Sequence, residues 1–128
     1  MKYYFILIVS LITLFSNAQL PNIALDVTVG GSGDDSFSTF VKVGNTFYLG
    51  GTTNSTDGDI SDTGFGSRDA WLMKTDENLN PISDTLYGGN SSDRIFNMHH
   101  SNSKLFIGIN SLSQENTGNL NAQKKGSR

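Results

Sequence analysis

The residues of this chain best suited to chemistry lie in loops rich in oxygen donors. Asn54–Asp62 (NSTDGDISD) sets Asp57, Asp59 and Asp62 around Gly58, and Ca²⁺ takes roughly six to eight oxygen ligands from short acidic loops of this kind. A plain loop braced by Asx turns has the same composition, so calcium and simple loop bracing are both open for these three carboxylates. The EF-hand register does not fit. With Gly58 at loop position 6, positions 1, 3 and 12 are Thr53, Ser55 and Gly64, none of them a carboxylate. Gly30–Asp35 (GGSGDD) has the glycine density of a phosphate loop but lacks the Lys-Ser/Thr of a Walker motif. No helical pattern follows it to supply an N-terminus for an anion. His99 and His100 are adjacent, and neighbours on a strand point to opposite faces, so they do not share a ligand. Trp71 could stack on a sugar or pack between sheets. Spacing gives no Ser–His–Asp set and no glycosidase-like carboxylate pair, which points to a non-catalytic protein.

These loops are organised by an internal repeat. Val29–Asp35 (VGGSGDD) returns as Tyr87–Asp93 (YGGNSSD), placing Gly30 on Gly88, Gly31 on Gly89 and Asp35 on Asp93. The same register continues without a gap from Asn22/Asn80 and Asp26/Asp84 to Gly50/Gly108 and Ser55/Ser113. Apolar character travels with it, Phe37 on Ile95, Phe40 on Met98, Phe47 on Leu105, Tyr48 on Phe106 and Leu49 on Ile107. A period of this size implies a stacked or radial repeat architecture. Recurrence of Asp35 at Asp93 suits a carboxylate that braces a turn. Beyond Ser113 the copies diverge: Gln114–Thr117 does not keep the acidic cluster, although Gly126-Ser127-Arg128 echoes Gly66-Ser67-Arg68 after a two-residue insertion.

The elements that position the loops read as strands. Ile23–Val29 alternates apolar and polar side chains and is rich in branched ones. Phe37–Val43 and Thr46–Thr52 form a hairpin about Gly44-Asn45, with Phe40 and Lys42, and Phe47, Tyr48 and Leu49, expected on its buried face. After the polar connection Asn54–Arg68 come strands at Asp69–Thr75 and Ile82–Tyr87, the second opened by Pro81. The cycle restarts with strands at Ile95–His100 and Lys104–Asn110 around a turn at Ser101–Ser103. One unit is thus four short antiparallel strands in a period of 58 residues (Gly30 to Gly88). Sheets of that kind form the blades of propellers. The reading is an all-β chain of propeller-type blades, about one and a half repeats, with a first repeat at 22–79 and a second, incomplete one at 80–128.

Residues 1–18 stand apart. Lys2, the apolar run Phe5–Phe15 and the small residues Ser16 and Ala18 form a secretory signal, too short for a membrane span. No other segment reads as a span, and the expected location is outside the cell or on its surface. A net charge of −3 gives no footprint for nucleic acid. With no cysteine the fold has no disulfides, so sheet packing must stabilise it. Fourteen glycines against two prolines, in a chain rich in Asn, Ser, Thr and Asp, suit many tight turns.

Taken together, GGSGDD, a Gly-rich hairpin, TTNSTDGD, GSRDAWLMKTD and YGG resemble the propeller-type repeats of secreted bacterial proteins, especially those of Bacteroidetes. The matching positions are Gly30, Gly31, Ser32 and Asp35; Gly50, Gly51, Thr52, Asp57, Gly58 and Asp59; Gly66, Asp69, Trp71, Lys74 and Asp76; and Tyr87, Gly88 and Gly89. The first unit matches throughout, and the second keeps the Gly-Gly-x-x-x-Asp turn and the hairpin. The resemblance implies a structural or ligand-binding module without catalytic residues or an obligatory cofactor, and a piece of a longer propeller. Its partners would be other repeats, a second copy, or an extracellular glycan or protein. An accessory carbohydrate-binding propeller of a secreted carbohydrate-active enzyme is the alternative.

Overall fold

The computed structural model describes residues 22–114 and 116–120; the expected signal at 1–18 and the echo at 126–128 lie outside them. Among the described residues the chain is all-β, with no helix. Its strands are β1 (Asp35–Val43), β2 (Thr46–Thr53), β3 (Asp69–Thr75), β4 (Pro81–Tyr87), β5 (Asp93–Ser101) and β6 (Lys104–Ser111). The first four make an antiparallel sheet in the order β1-β2-β3-β4, and β5-β6 make a second, two-stranded one. The larger sheet runs from Asp35 to Tyr87 and so straddles the 79/80 line of the sequence repeat.

The β1–β2 and β5–β6 hairpins turn in two residues, and each does so with the backbone geometry that strand twist favours. Val43 pairs with Thr46 around Gly44, which has φ 60°. In the second hairpin Ser101 pairs with Lys104, and Asn102 and Ser103 both take positive φ, 50° and 61°. Each hairpin also carries one irregularity at the same repeat position, between Phe37 and Thr39 in β1 and between Ile95 and Asn97 in β5. The bulge therefore belongs to the repeat.

Alternation along β2 and β3 gives the first sheet two apolar faces. Phe37, Leu49, Trp71, Met73 and Leu86 cluster on one, covered by Ile60 and Val29. Val41, Tyr48, Ala70 and Leu72 lie on the other, where Ile95 and Met98 of β5 and Leu105, Ile107 and Ile109 of β6 pack against them. We call these the Trp face and the Gly face, because Gly50 lies on the second directly beneath Ile95 and Met98. By the repeat register, Ile95, Met98, Leu105 and Ile107 of the second sheet correspond to Phe37, Phe40, Phe47 and Leu49 of the first. The second sheet thus lays its own Trp face on the Gly face of the first. The stack has a direction.

Two expectations are corrected here. Ile23–Val29 is not a strand: the segment is irregular, and Ile23, Leu25 and Val27 are exposed. Its repeat counterpart, Pro81–Tyr87, is β4 because β3 lies beside it. Alternation makes a segment competent for a sheet, but only a neighbouring strand satisfies its backbone groups, and none of the described strands pairs with Ile23–Val29. Phe40 is likewise not buried with Leu49 but 66% exposed, touching the Phe47 ring at a centroid distance of 6.3 Å.

Candidate functional site

The polar residues of the repeat converge on the Gly-Gly corner that precedes β1. Five consecutive backbone N–H groups there each find a side-chain oxygen. Gly30 donates to Asp59 Oδ2 (2.9 Å), Gly31 to Asp35 Oδ2 (2.8 Å) and Ser32 to Asp57 Oδ1 (2.7 Å). Gly33 donates to Ser55 Oγ (2.8 Å) and Asp34 to Asn54 Oδ1 (2.6 Å). Asp35 is the hub. It also accepts from the hydroxyls of Ser55 (2.9 Å) and Thr53, and Thr53 Oγ1 in turn accepts from Ser55 N–H (2.9 Å). Burial works against the Asp35 charge, but bonds from Gly31, Thr53 and Ser55, with Arg68 nearby, outweigh it and hold the carboxyl below its ordinary range.

The second corner repeats the circuit with other residues. Gly89 N–H donates to Asp93 Oδ2 (2.9 Å), Ser91 N–H to Ser113 Oγ (3.0 Å), and Ser113 Oγ donates to Asp93 Oδ2 (2.8 Å). Asn119 Oδ1 accepts from Gly88 N–H (3.0 Å), and Thr117 Oγ1 accepts from Asn90 N–H (3.3 Å). Asn119 and Thr117 stand where Asp59 and Asp57 stand in the first corner. Between them Gly118 (φ 63°) matches Gly58 (φ 68°), each packed against the carbonyl of the first corner glycine, Gly88 or Gly30. A side chain there would face both a left-handed backbone and that carbonyl. The structural copy of Asp57–Ile60 is therefore Thr117–Leu120, not Gln114–Thr117. It is displaced by the same two-residue insertion that separates the Gly-Ser-Arg echoes.

The sequence-derived candidates are placed accordingly. Asp57 and Asp59 spend carboxylate oxygens on corner N–H groups, and Asp62 accepts from Thr63 N–H (2.7 Å) within its own loop. Among the described residues, no group of three or more acidic or histidine side chains is arranged to hold a metal ion. The N–H groups a phosphate would need at Gly30–Asp34 are taken by the chain's own oxygens. Trp71 is fully buried, stacked on Phe37 (4.6 Å between centroids, 25° between planes), with Nε1 donating to Asp84 Oδ2 at 3.3 Å. It is a core residue and presents no face to a sugar. His99 and His100 lie on β5 opposite Phe106 and Leu105, on different faces.

Sequence reasoning missed Thr53, Ser55, Thr117, Asn119 and Asp69. Ser55/Ser113 was visible as an identity, but nothing local marks a serine as the relay between a carboxylate and a backbone N–H. Asp69 opens β3 and is buried, as is Asp93 at the start of β5. Asp69 Oδ2 accepts from Phe65 N–H (2.9 Å), while Oδ1 of both aspartates has no hydrogen-bond partner among the described residues. Gly88 separates them: a Cβ there would lie 1.7 Å from Asp69 Oδ1 and 3.1 Å from Asp93 Oδ2. Burial raises the Asp69 carboxyl above its ordinary range against the donors Phe65 and Gly66, and the charges of Asp93 and Asp62 add to the rise. Backbone bonds tie this region together, with Asp93 N–H donating to Arg68 O at 2.9 Å and Ser67 N–H to Ser91 O at 3.2 Å. On the surface, Arg68 pairs with Asp34 at 2.6 Å.

No protein-family model matches the chain, and no curated protein or solved structure is significantly similar to it.

Proposed function

We propose that this protein is a non-catalytic, exported repeat module of propeller type, acting as a structural or ligand-binding scaffold at or outside the cell surface. One observation supports this most: the two corners draw the same hydrogen bonds with Asp57 and Asp59 in one copy and Thr117 and Asn119 in the other. A neutral amide or hydroxyl replaces a carboxylate as an acceptor of N–H bonds, but it carries no negative charge and does not take a carboxylate's place as a general base. The repeated polar residues therefore serve the backbone. Binding falls to the surfaces between and beyond them, in keeping with loops held on a rigid sheet scaffold.

The test has two arms. Protease added to intact cells of the producing organism should degrade the protein, and a signal confined to the cell interior would reject export. The protein is also passed through gels containing soluble polysaccharides. Retention by one of them would favour the carbohydrate-binding accessory role, while turnover of a glycan or ester substrate would reject the non-catalytic reading.

A further inference from the structure

Each sheet exposes aromatic side chains at positions whose repeat counterparts are packed at the junction between the sheets. Where they meet, the Trp face of the second sheet covers the Gly face of the first, and Met98 is left only 6% exposed. Phe40, its repeat counterpart, occupies the same position on the Trp face of the first sheet, and no described strand covers it, so it is 66% exposed. Phe47 lies beside it, with the Lys42 ammonium 5.1 Å above its ring. At the other end of the stack no described strand covers the Gly face of the second sheet. It presents Phe96 (58% exposed) and Phe106 (55% exposed) around Gly108. Phe106 is the counterpart of Tyr48, which is packed at the internal junction. Among the described residues, one end therefore leaves open the Phe40–Phe47 edge of a Trp face whose remainder is covered by Ile60 and Val29, and the other end leaves open a Gly face.

Chemistry at the open Gly face differs from its internal counterpart in one respect. At the internal junction Ser38 Oγ donates to Ile95 O (2.6 Å) and Thr52 Oγ1 to Asp93 O (2.9 Å). The equivalent positions on the second sheet are Phe96 and Asn110. The Phe96 ring lies over Gly108, where a Cβ would meet its Cζ at 2.9 Å. The slot that receives Ile95 and Met98 in the first sheet is thus roofed by an aromatic ring in the second. An arriving Trp face would meet Phe96 and Phe106 with the rings of Phe40 and Phe47, and aromatic pairs of this kind add to simple area burial.

We propose that copies of this protein associate head to tail, the Phe96–Phe106 face of one seating on the Phe40–Phe47 edge of the next. The occupant is a second copy because the chain's own sheet-on-sheet junction is the template for it. The junction is heterologous: each copy uses one face to give and another to receive, so association runs to a ring or a filament and not to a two-fold dimer. This rests on the repeat-module reading and goes beyond it by naming the surfaces.

The full chain is studied by sedimentation velocity at increasing concentration, as wild type and as two variants, Phe40→Glu and Phe106→Glu. Both substituted rings are exposed, and unchanged unfolding midpoints confirm that each variant is folded. Wild type should grow in mean mass with concentration, and each variant alone should lose at least about tenfold in association constant. An equimolar mixture of the two should form a 1:1 dimer and nothing larger, since one open Gly face and one open Phe40–Phe47 edge remain. A monomeric wild type, variants that associate like wild type, or a mixture that stays monomeric would each overturn the proposal. Protease accessibility on intact cells and the absence of glycan turnover are untouched by those results, so the repeat-module reading would survive its failure.

Discussion

Gly50 sits at the seam between the sheets, and adding a single methyl group there tests whether the seam exists. In Gly50→Ala the new Cβ would lie 2.7 Å from Ile95 Cγ2, 3.0 Å from Met98 Cε and 3.1 Å from Met98 Sδ. Non-bonded carbons settle at about 3.5–4.0 Å, so the contact with Ile95 is short by roughly 0.8 Å. Met98 has a flexible end and can move. Ile95 is β-branched and fully buried against Ala70, so it cannot. Overpacking of this size costs about 1–3 kcal/mol, against a gain of about 0.4–1 kcal/mol from a stiffer unfolded chain. A net loss of about 1–2 kcal/mol should lower the urea midpoint by on the order of 0.5–1 M with the slope unchanged. Ile95→Ala should itself cost about 2–5 kcal/mol, yet the double variant should be more stable than the sum of the two by about 1 kcal/mol or more. Gly108→Ala is the internal control. There the new methyl meets the exposed ring of Phe96, which can swing into solvent, so the change should stay within about 0.5 kcal/mol. Equal midpoints for Gly50→Ala and wild type, or strict additivity with Ile95→Ala, would refute the packing of β5 on Gly50.

Other consequences follow from the corners and the core. Asp59→Asn keeps an acceptor for Gly30 N–H, as Asn119 does for Gly88, so its thermal midpoint should match wild type with and without chelator; a chelator-dependent drop seen only in wild type would restore the calcium reading. Asp35 has a folded-state carboxyl below its unfolded value, so its contribution is present above about pH 3.9 and lost as pH falls through the lower folded value. Asp35→Ala should therefore destabilise at pH 7 and converge on wild type in strong acid, as urea midpoints across pH would show. Asp69 has the opposite sign: its folded carboxyl is raised, so the ionised form costs stability above that value and the cost fades on acidification toward pH about 3.9. Asp69→Asn should raise the melting midpoint at neutral pH, with the gain shrinking toward pH 4; a drop at neutral pH would refute it. Trp71→Ala removes a fully buried ring stacked on Phe37 and should cost about 3–5 kcal/mol, read from loss of the cooperative urea transition.

Strand positions after Asp35 were legible because each element carries its own local signal. Alternation and branched residues mark β1, β2 and β3, Pro81 marks the start of β4, and the turns at Gly44 and Asn102-Ser103 need two residues each. The bracing role of Asp35 and Asp93 was legible from recurrence alone. Ile23–Val29 was misread for the converse reason: its pattern is as good as that of β4, and what it lacks is a neighbour among the described strands. Alignment of the acidic loop failed because two inserted residues shifted the copy to Thr117–Leu120. Only the hydrogen bonds to Gly88 and Asn90 show that neutral residues took over from Asp57 and Asp59.

By itself the sequence determined the repeat, the all-β class, the strand and turn positions after Asp35, and the pairing of each Gly-Gly corner with an aspartate. Those follow from side-chain periodicity and backbone preference, which act within a few residues or copy themselves along the chain. Tertiary structure alone decided which apolar faces are covered. Phe40 and Met98 hold the same repeat position, yet one is open to solvent and the other sealed, because a sheet packs on only one of them. It also decided where the carboxylates point. Asp57 and Asp59 turn toward the corner at the surface because Gly30 and Ser32 bring N–H groups to them across more than 20 residues of chain, and a donor without a backbone partner is satisfied by a side-chain acceptor.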